Sequence, residues 1–341
     1  MKTVGILTGG GDAPGLNAVI RAVVRTLVPR GYRVLGIRYG WKGLLDKDTV
    51  ELDLSAVAGI LQLGGTILGT SRTNPYSKED DARLAEENFR SLALDGLVAM
   101  GGEDTLGVAN RLSQAGHPVV GVPKTIDNDL PGTDVTFGFD TAVGIATEAI
   151  DRLHTTARSH DRVIVVEVMG RHAGWIAVHS GLAGGAHRIL VPERKIDLDA
   201  VCATVVRRRE RGERYSIIVT AEGAELAEGT VTRDGSTDAF GHVKLGGIAE
   251  TIANAVEERT RHETRSVTLG HVQRGGTPTA YDRVLASRYG VLAAQLVIDA
   301  EFGMMAALED GKFGPAPLGV VAGPLRTVDD DFLELVESFS D

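Results

Sequence analysis

Short apolar segments alternate with longer amphipathic segments through the first half of the chain. Apolar runs of strand length predict buried strands at Thr3–Leu7, Val34–Arg38, Gly96–Met100 and Pro118–Val122. Helical periodicity between these runs predicts helices at Leu16–Leu27, Lys78–Leu92 and Leu106–Leu112. Because strands and helices alternate in this way, the pattern predicts an α/β fold with largely parallel sheets.

The second half of the chain continues the same alternation. Further strands are predicted at Arg162–Val168, Ile189–Val191, Ser216–Thr220 and Arg265–Leu269. Further helices are predicted at Thr141–Thr156, Ile248–Thr260 and Tyr281–Ile298. The polar, glycine-rich segment between Glu225 and Gly246 predicts a hairpin or a surface excursion, and the acidic tail from Val328 predicts a short surface helix.

Composition is that of an ordinary soluble globular protein. Of the 341 residues, 43% are hydrophobic and 24% are charged, and no apolar run approaches membrane-spanning length. The single cysteine, Cys202, excludes an intrachain disulfide framework and favours a reducing cytoplasm, where we expect the protein. The formal net charge of −10 argues against a nucleic-acid partner. Glycine is in excess, with 43 residues clustered at predicted strand ends, where backbone can approach a ligand closely.

The most concentrated polar chemistry follows the predicted strand Pro118–Val122. The segment Pro123–Asp129 brings a lysine, a threonine, two aspartates and an asparagine to the carboxyl end of a buried strand, where open α/β sheets bind ligands. Asp127 and Asp129 lie two residues apart, so in extended chain both carboxylates point to the same side. Such a pair holds a metal ion or acts as a base. The alternative is a polar turn that uses Asn and Asp for their turn geometry.

Two other strand ends combine glycine with acidic residues. The segment Gly9–Gly15 offers consecutive backbone N–H groups before a helix N-terminus, which suits phosphate oxygens. No Gly-Lys-Ser/Thr follows it, and Pro14 replaces the third glycine of a dinucleotide fingerprint, so the alternative is a tight strand–helix turn. In Gly101–Thr105, Glu103 and Asp104 form a candidate metal-binding or phosphate-facing site, although Asp104 equally suits a helix N-cap.

Cationic side chains lie at or near many of the predicted strand ends. Guanidinium groups bind phosphate through two hydrogen bonds, whereas each arginine taken singly is more typical of a solvated surface charge. His172 taken alone is more typical of a structural hydrogen-bonding residue. The sequence has no Cys/His cluster with zinc spacing and no G-x-S-x-G elbow for acyl transfer. The candidate phosphate-binding side chains are Arg72, Arg162, Arg171, Arg265, His271 and Arg274.

Motifs follow one another in a fixed order between about residues 3 and 325, reading GGGDAPGLNAVIRA, GGTILGTSR, GGEDT, PKTIDND, MGRHAGWIA, AEG and LGHVQRGG. Together they resemble the 6-phosphofructokinase family. PKTIDND with MGRHAGW and GHVQRGG is a highly specific combination, whereas GGEDT alone resembles a loop of lipid and NAD kinases. The resemblance implies two Rossmann-like three-layer αβα domains with largely parallel sheets and an active site in the cleft between them.

The resemblance also implies where these domains lie. The larger, donor-binding domain is expected at residues 1–138 and about 273–325, and the smaller, fructose 6-phosphate-binding domain at residues 139–272. Residues 326–341 form a C-terminal tail. In the family two arginines, matched here by Arg162 and Arg265, reach the substrate of a neighbouring subunit. A homodimer or homotetramer with shared active sites is therefore expected.

Catalytic roles are carried over from the family to matching residues. Asp127 would be the general base that takes the proton from the sugar 1-hydroxyl, assisted by Thr125 and Asp129 through hydrogen bonding and metal positioning. Arg72 and Arg171 would neutralise charge on the transferred phosphoryl group. Phosphoryl transfer requires little covalent chemistry from protein, so positioning and positive charge should supply most of the rate.

Binding roles are carried over in the same way. Glu103 would help to hold Mg²⁺, at a position where many relatives have Asp. The phosphoryl donor would lie against Gly11, Gly102, Asp104, Thr105 and Lys124. Fructose 6-phosphate would be bound by Arg162, Met169, Gly170, Arg171, Glu222, Arg265, His271 and Arg274.

Two positions bear on the identity of the donor. ATP-dependent members have glycine where this chain has Asp104, and a carboxylate there would obstruct and repel a nucleotide α-phosphate. Lys124 suits the terminal charge of free pyrophosphate, although some ATP users also carry this lysine. The pair favours the pyrophosphate-dependent branch, which phosphorylates fructose 6-phosphate reversibly in glycolysis. The alternatives are an ATP-dependent 6-phosphofructokinase and a non-catalytic sugar-phosphate-binding regulatory paralogue, against which the presence of Asp127 and Arg171 argues.

Overall fold

A computed structural model describes residues 1–227, 229–230, 232–237 and 243–340 of the chain. The strands are β1 (Thr3–Thr8), β2 (Arg33–Ile37), β3 (Thr49–Glu51), β4 (Gly96–Gly101), β5 (Val119–Pro123), β6 (Val163–Val168), β7 (Arg188–Leu190), β8 (Ser216–Ala221), β9 (Glu225–Leu226), β10 (Gly229–Thr230), β11 (Thr232–Thr237), β12 (Val243–Leu245), β13 (Thr264–Thr268), β14 (Met304–Glu309) and β15 (Lys312–Pro317). The α-helices are α1 (Leu16–Leu27), α2 (Trp41–Asp46), α3 (Glu79–Ser91), α4 (Glu103–Gln114), α5 (Phe139–His160), α6 (Trp175–Ala183), α7 (Leu198–Glu210), α8 (Ile248–Thr260), α9 (Ala280–Ile298) and α10 (Asp330–Ser338). Among the described residues, no helix combines the length and the apolar character needed to cross a membrane.

Seven strands form the larger sheet, in the order β15-β14-β5-β4-β1-β2-β3. The inner neighbours pair in parallel, whereas the edge strands β3 and β15 pair antiparallel with β2 and β14. Val4 and Ile6 of β1 pack in one core with α1 and α9, while Leu7 packs in another core with α3 and α4. Both faces of the sheet are thus covered, which explains why its central strands are apolar throughout.

Four parallel strands form the smaller sheet, in the order β13-β6-β8-β7. Side chains of β6 alternate between two cores, because successive residues of a strand point to opposite faces. Ile164 and Val166 pack with α5 and α6, whereas Val163 and Val165 pack with α7 and α8. The predicted α/β fold with largely parallel sheets is therefore confirmed.

The two sheets are drawn from different parts of the chain. Strands of the larger sheet lie within residues 3–123 and 304–317, and strands of the smaller sheet lie within residues 163–268. Helix α10 of the tail packs against α6 and β7 beside the smaller sheet. The exact division into two domains and a tail stays a prediction.

The predicted excursion between Glu225 and Gly246 lies partly outside the described residues. Its described parts form two short antiparallel pairs, β9 with β10 and β11 with β12. Neither pair joins one of the two larger sheets. These strands therefore do not contribute to the sheet edges that carry the polar motifs.

Candidate active site

A polar cleft lies where loops after β1, β4 and β5 of the larger sheet meet the turn after β6 of the smaller sheet. Its lining includes four cationic side chains and four carboxylates. With the exception of Gly10 and His172, every lining residue belongs to the predicted site. The lining residues are Gly10, Gly11, Arg72, Gly102, Glu103, Asp104, Thr105, Lys124, Thr125, Asp127, Asp129, Arg171, His172 and Arg274.

The loop after β5 is held by its own residues and by Thr136. The Thr136 hydroxyl donates to Thr125 O at 2.7 Å, and its backbone N–H donates to Asn128 Oδ1 at 2.9 Å. Asn128 has a left-handed backbone with φ of 53°. The loop is therefore not extended at Asp127–Asp129, and the expectation that strand alternation aligns the two carboxylates is wrong. Both aspartates nevertheless line the cleft.

Lys124 is a buried ammonium at the centre of the cleft. Its Nζ donates to Gly11 O, and its backbone N–H donates to Gly101 O at 2.9 Å. Burial, followed by the charge of Arg274, lowers the pKa of Lys124 to about 7, while Asp127 opposes this shift. A buried cation in such a position is characteristic of a functional site, because an anionic ligand restores its charge.

Burial also affects the carboxylates of Asp127 and Asp129, which follow Lys124 in the same loop. Asp127 Oδ1 is buried and has no hydrogen-bond partner among the described residues. Burial, and then the nearby charge of Asp127, raises the pKa of Asp129. A carboxylate oxygen buried without a partner is costly, so this atom is suited to accept a proton or a hydrogen bond from a ligand.

Helix α4 begins at Glu103, earlier than the predicted start at Leu106. Its N-cap is Gly102, which makes no side-chain capping bond, and Glu103 and Asp104 are acids of the first turn. The alternative interpretation of Asp104 as an N-cap is therefore wrong. First-turn carboxylates are stabilised by the helix N-terminus, and both of these also line the cleft.

The glycine-rich loop after β1 is contacted by two cations. Arg274 Nη1 donates to Asp12 O at 3.3 Å, next to the carbonyl of Gly11 that accepts from Lys124. A Cβ on Gly11 would meet the tip of the Arg274 guanidinium, so a larger residue would displace that flexible side chain from the loop. The loop and the two cations together form the predicted phosphate-facing end of the cleft.

Four predicted substrate-binding residues lie outside the lining of the cleft. The Met169 backbone N–H donates to Gln273 Oε1 at 3.3 Å, and Gly170 O accepts from Gly223 N at 3.0 Å. Glu222 follows β8, where burial and then the charge of Asp127 raise its pKa to about 7. The fourth, His271, is exposed in the 3₁₀ turn Gly270–Arg274.

Arg162 and Arg265 are not brought to this cleft. They lie at the amino-terminal ends of β6 and β13, whereas the cleft lies at the carboxyl ends, about 16 Å away along a six-residue strand. Both arginines form salt bridges with Glu263: its Oε1 lies 2.8 Å from Arg162 Nη2 and 2.5 Å from Arg265 Nη2. The hydrogen bond from Arg162 lowers the pKa of the Glu263 carboxyl. Within one chain these two arginines do not reach a ligand in the cleft.

Several supporting residues were not found from the sequence. Gln273 is fully buried and joins the 3₁₀ turn of Arg274 to the end of β6. Asp282 on α9 is also buried and accepts from Gly138 N and Thr141 N at the start of α5, at 2.9 Å and 2.8 Å. Gln273 lies inside the motif LGHVQRGG, so the sequence did mark its position. Asp282 is an acid in the first turn of a helix, which is common and gave no indication of its role.

The acidic side of the cleft fits a hard divalent cation. Mg²⁺ takes oxygen ligands and binds through one or two carboxylates together with substrate phosphates, rather than in a cage made of protein alone. Among the described residues, no three acidic, histidine or cysteine side chains converge closely enough to hold a metal by themselves. Glu103, Asp127 and Asp129, with one buried oxygen lacking a partner, match that kind of open site.

The protein-family profile Phosphofructokinase matches residues 3–297, most of the chain. The chain belongs to the phosphofructokinase family. It is 57% identical over 339 residues to a Streptomyces coelicolor protein named pyrophosphate–fructose 6-phosphate 1-phosphotransferase, with 98% of this chain and 99% of the relative covered. It is 55% identical over 329 residues to ATP-dependent 6-phosphofructokinase 3 of the same organism, with 96% of each covered.

A solved structure shows the same fold. The pyrophosphate-dependent phosphofructokinase from Nitrosospira multiformis aligns with a TM-score of 0.86 at 23% identity, covering 100% of this chain and 92% of the other. The resemblance inferred from the motifs is thus confirmed, and the enzyme is a phosphotransferase. Relatives named for either donor lie at similar identity, so the choice of donor must be argued from the cleft.

Proposed function

We propose that this phosphofructokinase transfers a phosphoryl group from pyrophosphate to the 1-hydroxyl of fructose 6-phosphate. The products are fructose 1,6-bisphosphate and phosphate, and the reaction is reversible. One observation carries the choice of donor: the cleft is lined by Lys124, whose buried Nζ donates to Gly11 O of the glycine-rich loop, and also by Asp104. Lys124 supplies positive charge for a terminal phosphate, and Asp104 supplies negative charge that a longer donor would meet.

Asp104 discriminates against a nucleotide by charge as well as by volume. Two like unit charges about 4 Å apart repel by about 4 kcal/mol at an effective dielectric constant of 20. A difference of that size corresponds to a discrimination of about a thousandfold. A nucleotide α-phosphate placed beside Asp104 meets this repulsion, whereas pyrophosphate has no third phosphate to place there.

The remaining cleft residues supply proton transfer and charge neutralisation. Asp127 Oδ1 accepts the proton of the sugar 1-hydroxyl, which also satisfies an oxygen that is buried without a partner. Arg171 and Arg72 neutralise charge on the phosphoryl group as it moves. Thr125 holds the loop, since its hydroxyl accepts from Asp127 N at 3.1 Å.

Magnesium would be held by Glu103 and Asp129 on the acidic side of the cleft. When bound, it neutralises phosphate charge, which assists the approach of the nucleophile. Burial, and then the charges of Asp127 and Glu103, raise the pKa of Asp129, and a bound cation would offset this repulsion. A bound cation would therefore reduce repulsion among the cleft carboxylates and also attract the phosphates of the donor.

Fructose 6-phosphate would be bound by residues of two subunits. Arg171 and Arg274 line one cleft, with Met169, Gly170, Glu222 and His271 beside it. Arg162 and Arg265 lie at the amino-terminal ends of the neighbouring strands β6 and β13, where both pair with Glu263. We propose that this end of the smaller sheet completes the cleft of a neighbouring subunit, so that the enzyme is a homodimer or homotetramer.

A second candidate function is ATP-dependent phosphorylation of the same sugar. The observation that favours it is a shallow hollow on the outer side of Glu103 and Asp104, lined by Asn74, Gly107 and Arg111. A nucleoside could occupy this hollow while its phosphates enter the cleft. A relative that is 55% identical carries an ATP-dependent name, which gives this alternative weight.

The proposal is tested with purified enzyme, Mg²⁺ and fructose 6-phosphate. We expect fructose 1,6-bisphosphate and phosphate to form with pyrophosphate, and the reverse reaction to proceed from those products. Binding of fructose 6-phosphate without turnover of pyrophosphate or ATP in either direction would contradict the proposal. That outcome would support the regulatory sugar-phosphate-binding alternative.

A further inference from the structure

Arg326, in the segment between β15 and α10, contacts the loop that carries Asp127. Its backbone N–H donates to Asp129 O at 2.8 Å, and its Nη1 donates to Asn128 O at 3.2 Å. Arg326 is half-buried, and none of the carboxylates described forms a salt bridge with it. Its guanidinium is therefore engaged with the backbone of the loop rather than with an acid.

The opposite side of Arg326 is fixed to the turn after β6. The guanidinium carbon lies 4.3 Å from the centre of the Trp175 ring, and Trp175 Nε1 donates to Arg326 O at 3.0 Å. Nearby, Glu193 Oε1 accepts from Gly174 N at 2.9 Å and from Val328 N at 3.0 Å. This segment is thus pinned to the turn that begins at Arg171 and ends at Trp175.

The loop that Arg326 contacts is held by bonds from two other segments. Asn128 has φ of 53°, a left-handed conformation that asparagine adopts more readily than most residues. Thr136 holds the Asn128 side chain, and Arg326 holds its carbonyl. Removing the guanidinium leaves the carbonyl side of Asn128 without that support. The neighbours of Asn128 on either side are Asp127 and Asp129, so a change there moves both carboxylates.

We propose that Arg326 is a positioning residue for phosphoryl transfer. It joins the loop of Asp127 to the turn of Arg171, and so fixes the general base relative to the arginine that neutralises the transferred group. This inference rests on the proposed roles of Asp127 and Arg171, and it is independent of whether the donor is pyrophosphate or ATP. The tail of the chain thereby takes part in aligning a site to which it contributes no lining residue.

The test compares Arg326→Met with Arg194→Met. Methionine keeps the apolar stem of Arg326 but removes its cation and hydrogen bonds. A displacement of about 1 Å in a reacting group can lower turnover about a hundredfold, so we expect kcat of Arg326→Met to fall about 10- to 100-fold. The KM for fructose 6-phosphate should change less than about twofold, because substrate-binding residues are untouched. Arg326→Lys keeps a cation and a donor, and should recover part of the loss.

Arg194→Met is the matched control, because Arg194 binds the same tail through Glu337 and Asp330 but does not contact the loop. Its kcat should stay within about twofold of wild type. Equal losses in both variants would overturn the proposal, since the effect would then come from docking of the tail. A wild-type kcat in Arg326→Met would overturn it as well. Arg326→Gln provides the same comparison if the methionine variant does not fold.

Failure of this inference can be told apart from failure of the proposed function. Asp127→Ser is assayed in the same series with the donor that the wild type uses. Retained turnover in Asp127→Ser would contradict the proposed function. An inactive Asp127→Ser together with a normal Arg326→Met would contradict only the positioning role of Arg326.

Discussion

Single residues of the cleft place buried polar groups where a ligand would contact them. Lys124 is buried with its pKa lowered to about 7, and Asp127 keeps a buried oxygen without a partner among the described residues. Asp104 adds a further carboxylate to the lining of the cleft. Residue types and motif order made these positions predictable, because each follows an apolar strand at a polar, glycine-rich turn.

Replacing the proposed base tests the chemistry at this scale. Asp127→Ser should lower kcat about 10²- to 10⁴-fold, because the side chain that accepts the hydroxyl proton is lost. Binding of fructose 6-phosphate, measured by titration calorimetry, should be largely kept, since Asp127 is not among the sugar-binding residues. Asp151→Ser, on the exposed face of α5, is the control and should behave as wild type. Substantial turnover in Asp127→Ser would show that another group takes the proton.

Replacing Asp104 tests the discrimination between donors. Asp104→Gly removes the carboxylate that would repel an α-phosphate, so kcat/KM with ATP should rise at least about tenfold. Steady-state rates with both donors measure the change. Asp80→Gly removes an acid from the first turn of α3 that does not line the cleft, and so controls for the replacement of a first-turn acid by glycine. If kcat/KM with ATP does not rise in Asp104→Gly, or rises equally in Asp80→Gly, obstruction by the Asp104 carboxylate is the wrong explanation.

At the scale of elements, predictions succeeded where local signals were strong. Helices α1 and α8 have the predicted bounds, because apolar periodicity is bounded by Gly15 and Gly247 in left-handed conformation. The hairpin of β14 and β15 was missed although its signal was present. Asp310 and Gly311 form its two-residue turn, both with positive φ, and Asp-Gly between strands is typical of such a turn. Helix α7 was missed as well, although Asp197 caps it.

Contacts between distant elements could not be predicted from the sequence. The bond of Arg326 to Asn128 spans 198 positions, that of Asp282 to Gly138 spans 144, and that of Gln273 to Met169 spans 104. No local pattern encodes such pairs, because each depends on how helices and sheets pack. The motifs thus predicted which residues gather at the cleft, but not which residues hold them there.

Asn17 of α1 gives a test at the element scale. Its Nδ2 donates to Leu63 O and Gly64 O at 3.1 and 3.2 Å, and its Oδ1 accepts from Ile67 N at 2.8 Å. The loop that Asn17 holds leads to Arg72, so Asn17→Ala should lower kcat. The same variant should lower the free energy of unfolding by about 1–3 kcal/mol, because the loop loses these hydrogen bonds. Urea denaturation and steady-state rates measure both. Asn254→Ala, at an exposed position of α8, should change neither, and an unchanged stability in Asn17→Ala would contradict the assigned role.

At the scale of the whole molecule, the positions of Arg162 and Arg265 decide how many chains make a site. Both lie at the amino-terminal edge of the smaller sheet, away from the cleft of their own chain. The family resemblance placed them in a shared site, and their position in the fold supports that proposal. The sequence carried a signal for this separation, since Arg162 and Arg265 begin their predicted strands whereas the cleft residues follow the ends of theirs.

Mixing two inactive variants tests the shared site. Arg162→Ser and Asp127→Ser should each have little turnover as separate oligomers. In a mixed dimer one site receives both substitutions and the other receives neither, so random exchange should restore about a quarter of the sites. Light scattering establishes the oligomer, and turnover after exchange measures the recovery. A mixture that has exchanged subunits but stays as inactive as its parents would contradict a shared site.

The central claim is that pyrophosphate is the phosphoryl donor, selected by Lys124 and Asp104. The most direct measurement is kcat/KM of the wild-type enzyme for pyrophosphate and for ATP, side by side at saturating fructose 6-phosphate and Mg²⁺. The charges at the donor end of the cleft predict a value for pyrophosphate about a thousandfold above that for ATP. A higher kcat/KM with ATP than with pyrophosphate would contradict the claim.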